Sequence, residues 1–561
     1  MTDSRKTMRQ SDRTPPGNGP LVSVVISTYN RPAYLAEALE SIFCQTYSNF
    51  EILLVRDGGL PVRDVVRQFD DSRLTFIDRD ENRGLPYSFN EALSQAKGEY
   101  VCYLGDDDKF YPHHLATLLQ AILQNPDYGV VYGDLYKAHC RVLGDGRRRV
   151  LAKNVEISRD FDRMLMLQFN HALHVSLMHR RDLLNQAGPY NEKLNVLIDW
   201  DLTRRLCFYT DFLHVPIVTG EYYAPVGQCD RISVQRRKNV GDYLRNLLTI
   251  RTARPPKPWP KVEDLAVLIL TQGADETLST TVRDFWSHSF YPNQIYVPLT
   301  EQEHQRLQCG ISNVVPVRVA QTDSPTQRLA RMLEKTDAPL AAVLTAGIFI
   351  PLQDAIYLER SLYPLLRDQQ NRTAYEIVEA DETHFGAVLR TAVLRDVLRR
   401  GFPAESAEEL RSAGLEVRKP KHEEYPFQFD NLLCSTELLQ LEGQWEQAAK
   451  VYHYLACHHG NEIWMRTRQA NALYHAGRYA AATNLVRQIN QIRPTVTTHL
   501  IEARARKKLN DCKTAADLYS RALAIVMGKS TGYQAKAADS LIPKTTNQTL
   551  CTQHEETLVW T

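Results

Sequence analysis

Residues 21–250 predict an α/β domain, residues 263–425 a second, degenerate α/β domain, and residues 426–528 an all-α repeat domain. Three observations carry this reading. Strand-like runs alternate with helix-like ones from Leu21 onward. The same apolar pattern returns from Leu265 without its acids. A helical stretch then repeats with spacings of 34 and 33 residues, from Gly443 to Gly477 to Asn510.

The first strand is LVSVVIS, a continuous β-branched run of the kind buried on both faces of a parallel sheet. After Thr28, Tyr29 and Asn30, a helical pattern sets Leu35, Leu39, Ile42 and Phe43 on one face. FEILLVRDGG forms a second strand ending at a glycine pair, RLTFIDRD a third and EYVCYLGDDD a fourth. Strand, helix, strand in repetition implies a parallel sheet with crossover helices, and such sheets bind ligands beyond the carboxyl ends of their strands. Those ends carry Tyr29, Asp57 and the aspartate run at Asp106, so polar groups converge on one edge.

RTARPPKPWPKVED, around residues 251–262, shifts to proline and charge and marks a linker. Beyond it, LAVLILTQGADETLSTTVRDFWSHSFYPNQIYV parallels the opening strand–helix–strand, and RLARMLEKTDAPLAAVLTAGIFIP parallels the approach to the aspartate run. Thr345, Ala346 and Gly347 stand near where the acids would be, so the copy keeps the fold and loses the chemistry. GQWEQAA, GRYAAAT and NDCKTAA then mark helix pairs whose small alanines permit close approach. They resemble tetratricopeptide repeats, which present a concave surface to a partner. Residues 1–20 and 529–561 are polar and predict disordered tails.

The chain of 561 residues is 43% apolar and 24% charged, with a formal net charge of +1. That balance predicts a globular protein with no global field for nucleic acid. Its ten cysteines include no CxxC pair and predict reduced thiols in a cytoplasmic protein. Cys457, His458 and His459 are consecutive, so on a helix they point apart and read as surface chemistry. The longest apolar run, PLAAVLTAGIFIPL, is short of the ~20 residues a spanning helix needs. The expected location is cytoplasmic, with attachment to the inner face of a membrane at most peripheral.

Asp106, Asp107 and Asp108 repel one another unless solvated or neutralised by a cation. Mg²⁺ or Mn²⁺ would neutralise them, since hard cations prefer oxygen ligands and bridge to phosphates. VSVVISTYNRP, QTYSNFEILLVRDGG, ENRG, NEALSQAKGEYVCYLGDDDKFYP and VSLMHRRDLLNQAGPYNEKLNVLIDWDLTRRL occur in this order. The set resembles family 2 glycosyltransferases of the GT-A fold over roughly Leu21 to Glu221.

The resemblance implies inverting, metal-dependent transfer of a sugar from a nucleoside-diphosphate donor, a UDP-sugar above others. By the same resemblance Ser27, Thr28 and Tyr29 contact base and ribose, and Asp57 hydrogen-bonds the base. Arg56 stands where the family has another acid, and Gly105 where it often has the first aspartate of the run. Asp108 is implied as a metal ligand with Asp106 as a helper, and Asp107 as a ribose or metal-shell contact. Asp199 in IDWDL matches the family's general base, with Asp201 a structural neighbour. His171, His174 and His179 lie just upstream, and each reads as packed or solvated rather than as a ligand. In the second copy Ala407 stands near the position of Asp199. The expected acceptor is a glycan, lipid-linked or protein hydroxyl, with a protein partner on the helical repeats. The competing reading is a catalytically silent scaffold that binds a nucleotide sugar or glycan. The intact acids speak against it, and a nucleotidyltransferase would need a glycine-rich phosphate loop that does not follow LVSVVIS.

Overall fold

The computed structural model describes residues 19–526 apart from residues 145, 156, 226–238, 272–274, 305–312, 348–356, 368–371, 378–383, 421–424, 427 and 459–461. The tails expected at 1–20 and 529–561 lie outside the described residues except for Gly19 and Pro20, and so does His459. Two compact units result. The first takes in the described residues up to Asn246 with Arg254–Val262; the second takes in Leu247–Ala253 and the described residues from Glu263 onward.

In the first unit the strands are β1 (Val22–Thr28), β2 (Phe50–Asp57), β3 (Leu74–Arg79), β4 (Tyr100–Gly105), β5 (Lys109–Phe110), β6 (Tyr128–Val142), β7 (Arg148–Val155), β8 (Leu177–Arg180) and β9 (Asp211–Pro225). They form one sheet in the order β3-β2-β1-β4-β8-β6-β9-β5, with β7 paired to β6. The four strands expected from sequence are parallel. Beyond β4 the sheet turns antiparallel at β8 and again at β6, and β9 runs parallel to β6.

Hydrophobic burial fixes this arrangement. Pro32, which lacks the N–H a first turn does not use, starts the helix Pro32–Phe43. That helix buries Leu35, Ala38, Leu39 and Ile42. They pack with Val24 and Ile26 of β1, Ile52 and Leu54 of β2 and Leu104 of β4 in one core. Full burial of one such leucine contributes about 2 kcal/mol.

In the second unit β10 (Leu265–Leu270), β11 (Asn293–Leu299), β12 (Val314–Arg318), β13 (Leu340–Thr345), β14 (Thr373–Glu376), β15 (Gly386–Arg390) and β16 (Glu416–Arg418) are ordered β12-β11-β10-β13-β15-β14-β16. This reproduces β3-β2-β1-β4-β8-β6-β9 position by position. Every joint also keeps its parallel or antiparallel sense.

Six further helices follow, each packed on the next: Gln428–Leu441, Trp445–His458, Glu462–His475, Tyr479–Ile492, Val496–Lys508 and Cys512–Val526. The residues that open the three sequence repeats sit in the left-handed turns between helices, with φ of 76° at Gly443, 78° at Gly477 and 62° at Asn510. Glycine, and less easily asparagine, adopts that conformation. No helix among the described residues is long and apolar enough to cross a membrane.

Candidate active site

The carboxyl ends of β1 and β4 are in register, Ser27 opposite Gly105, and this brings the aspartate run against the end of β1. Asp106 turns inward. It accepts from Thr28 Oγ1 at 2.8 Å and from the Tyr29 N–H at 3.4 Å, and Arg31 Nη1 lies 3.2 Å from its other oxygen. The same Arg31 nitrogen donates to Asp107 at 2.8 Å. Burial, and next the charge of Asp107, push the Asp106 carboxyl up to about 6 against the opposing pull of Arg31 and Thr28. Ser27 is half-buried, whereas the Tyr29 ring is 49% exposed at the lip of the edge.

Asp107 and Asp108 are half-buried beside it. A Cβ on Gly105 would lie 2.5 Å from Asp108 Oδ2 and 3.2 Å from Asp107 Oδ1. The missing side chain therefore leaves a small cradle on which two carboxylates converge, which accounts for glycine at this position. Asp108 Oδ1 also accepts from the Tyr223 N–H at 3.3 Å. No group of three or more His, Cys, Asp or Glu among the described residues is set to hold a metal ion.

Arg148 of β7 closes over this region. It donates to the Asp107 carbonyl and to Glu37 Oε2, and its guanidinium lies 3.6 Å from the Tyr223 ring centroid and 4.2 Å from that of Tyr34. Neither Arg31 nor Arg148 figured in the sequence reading. Arg31 is legible in hindsight from STYNRP, while nothing distinguishes Arg148 within its run of three arginines.

Asp57 occupies a separate network. One oxygen accepts from Arg79 Nη2 at 2.9 Å and the Arg83 N–H at 2.8 Å, the other from the Gly84 N–H at 2.9 Å. It is 3% exposed and fastens the ENRG loop to the end of β2. Arg56 pairs with Asp78 and, at 2.9 Å, with Asp80. The charge reversal at this position is thus neutralised on the neighbouring strand.

Asp199 lies in the first turn of the helix Ile198–Leu206, where a carboxylate is favoured by the helix dipole. Its Oδ2 accepts from Asn170 Nδ2 at 3.0 Å. Asn170 is in turn oriented by its own Oδ1, which accepts from the Ala172 N–H and from Thr203 Oγ1. Sequence reasoning passed over Asn170 for the histidine beside it. Asp201 is buried and paired with Arg205 at 2.7 Å, a structural role as expected. Nearby, burial pushes the Tyr190 hydroxyl up, and its ring packs edge-on to Tyr103 of β4.

His171 and His179 are core residues, and His174 is half-buried beside them. His174 stacks on Tyr103 at 4.1 Å and bonds Tyr190, and His179 bonds the Tyr103 hydroxyl at 2.9 Å. His171 packs among Phe161, Phe169 and Tyr132. Burial holds them uncharged, pushed down to about 3, 3 and 4 for His171, His174 and His179.

The GT-A-like α/β sheet, its aspartate-lined edge and the relatives of the chain define the class: this is a glycosyltransferase, a transferase enzyme. It belongs to glycosyl transferase family 2, whose profile matches residues 23–184. Asp199 lies beyond the matched stretch. A PGL/p-HBAD biosynthesis glycosyltransferase of Mycobacterium bovis is 30% identical over 267 residues, covering 45% of this chain and 96% of that relative. An uncharacterized glycosyltransferase of Haemophilus influenzae is 26% identical over 240 residues, covering 42% of this chain and 80% of its own. Among solved structures, S. aureus TarS 1-349 is 17% identical, covers 41% of this chain and 65% of its own, and gives a TM-score of 0.32. The mannosyltransferase PcManGT of Pyrobaculum calidifontis, in complex with GDP-Man and Mn²⁺, is 20% identical over 44% of this chain and 68% of its own, with a TM-score of 0.32. Scores this low carry no part of the assignment, which rests on the profile and the mycobacterial relative.

Proposed function

We propose that the chain is an inverting glycosyltransferase that moves a sugar from a nucleoside-diphosphate sugar, a UDP-sugar above others, to an acceptor hydroxyl in cell-surface glycan or glycoprotein biosynthesis. The observation that carries this is Asp199. In a family 2 glycosyltransferase it is a half-buried carboxylate on the first turn of a helix, with one oxygen held by Asn170. Such a group is oriented before substrate arrives. It takes the proton from the acceptor hydroxyl while that oxygen bonds to the anomeric carbon and the bond to the diphosphate breaks. Attack on the face opposite the leaving group inverts the configuration and needs no covalent sugar–enzyme intermediate.

Ser27 and Tyr29 bind base and ribose, with the exposed Tyr29 ring offering a stacking face; Thr28, expected to share that contact, is 1% exposed and holds Asp106 instead, and Asp57 supports the base from the β2 end. The donor set at Gly105 fits Mg²⁺ or Mn²⁺, because two hard carboxylate oxygens converge on a cradle that a Cβ would fill. Asp107 and Asp108 would hold the ion, with Asp106 bracing the strand ends behind them rather than sharing the cradle. Bound there, it would neutralise charge developing on a diphosphate leaving group.

The second unit, whose β13 ends in Thr345, Ala346 and Gly347, serves as a non-catalytic acceptor-binding or scaffolding module, and the helical repeats engage a protein partner. The relatives named for PGL/p-HBAD biosynthesis support a biosynthetic acceptor. Asp199→Asn is expected to lower kcat by about 10²-fold or more with nucleotide affinity unchanged. Full turnover by that variant would overturn the assigned base.

A further inference from the structure

The β6–β7 hairpin projects an unusual surface. Val142, Leu143, Val150 and Leu151 are 44%, 37%, 39% and 53% exposed, a concentration of apolar side chains at one tip. Arg141 and Arg149 are exposed and directly opposite each other across the two strands. Cross-strand neighbours of like charge repel, and neither arginine has an ion-pair partner among the described residues. The net charge of the whole chain is only +1, so the positive potential here is local. A pairing that works against the fold, ringed by exposed aliphatic groups, suits a partner that is anionic at its surface and apolar beneath. Lipid phosphates with their acyl chains have that chemistry.

We propose that the tip of this hairpin docks the enzyme on an anionic lipid surface, with Arg141 and Arg149 on the phosphates and Val142, Leu143, Val150 and Leu151 at the acyl boundary. The face of the hairpin away from Arg141 and Arg149, which also carries Val142 and Val150, is bolted to the site. Arg148, its side chain 4% exposed, ties β7 to the Asp107 carbonyl and to Glu37. Docking therefore sets the aspartate edge beside the membrane, where a lipid-linked acceptor presents its hydroxyl. The choice of acceptor rests on the transferase reading above; the docking itself does not.

The test is flotation of the full-length protein with vesicles of equimolar phosphatidylcholine and phosphatidylglycerol, against vesicles of phosphatidylcholine alone. Binding to the anionic vesicles only, weakened by salt, is expected. It should fall by at least about tenfold in Arg141→Glu/Arg149→Glu and in Val150→Ser/Leu151→Ser, with melting temperature and soluble donor hydrolysis unchanged. Equal flotation of wild type and both variants, or none on anionic vesicles, overturns the proposal. So does loss of vesicle binding only in the arginine variant together with capture of an acidic or phosphorylated peptide, which would make the hairpin a protein-docking site. Failure of donor hydrolysis in wild type with flotation intact would count against the transferase reading and leave the docking standing.

Discussion

Asn170 makes a single contact with Asp199, and the value of that contact is in aim. An amide N–H on one carboxylate oxygen fixes its rotation and leaves the other oxygen to meet the acceptor hydroxyl. Asn170→Ala is expected to lower kcat by about 10-fold to 10²-fold, with donor KM unchanged. Steady-state kinetics check this split; an unchanged kcat would make Asn170 only a structural residue of the QFNH segment. At this scale the sequence was informative about the acids and silent about their partners. Asp106, Asp107, Asp108 and Asp199 stand out because consecutive or motif-borne carboxylates are costly without a reason. Arg31, Arg148 and Asn170 act through contacts across 29 to 76 residues of chain, which no local pattern encodes. The inward turn of Asp106 was equally illegible, since whether a carboxylate faces solvent or Thr28 is decided by strand register.

At the scale of elements, legibility followed periodicity. β1, β2, β3 and β4 could be read because fully buried parallel strands are continuous apolar runs. The three repeat openings could be read because a turn that demands positive φ forces glycine, or asparagine at Asn510, at a fixed spacing. This gives a paired prediction. Gly477→Ala, at φ 78°, should destabilise by about 1 kcal/mol, whereas Asn510→Gly should be neutral or stabilising by a few tenths. Urea denaturation followed by far-ultraviolet dichroism measures both; equal effects would contradict the turn assignment. The antiparallel half of the first sheet was not legible. β6 and β9, each 15 residues long, pair in parallel across more than 70 residues, and their interrupted apolar pattern gives no local sign of that partner.

For the molecule as a whole, two sheets share one strand order and differ in their acids. The helix Ala407–Ser412 follows β15 as Ile198–Leu206 follows β8; it is capped by Ser406 and has Glu408 as its second residue where the first has Asp199. The pH dependence of stability also belongs to this scale. His171, His174 and His179 are held far below the ordinary histidine range of about 6.5 by burial. Their contribution is therefore complete above pH ~6.5 and lost as pH falls toward 4, each adding up to about 1.4 kcal/mol per pH unit. His214, raised by Asp134 and Asp160 against its burial, and Asp106, raised by burial, work in the opposite direction. His114, His475 and His499, lowered by burial, add to the loss, and Glu359, raised by burial, to the opposing side, so six groups against three leave a net loss on acidification. The urea midpoint should fall between pH 7 and pH 5, and His171→Leu should flatten the fall; a midpoint that rises would contradict the buried-neutral assignment.

The most direct test of the transferase reading is release of nucleotide by the purified full-length protein from a panel of UDP-, GDP- and dTDP-sugars, with Mn²⁺ and with chelator. Metal-dependent release from one class of donor, abolished in Asp108→Ala, is the expected result. Release from no donor under any metal condition, with the protein folded, would contradict it and return the aspartate edge to a binding role alone.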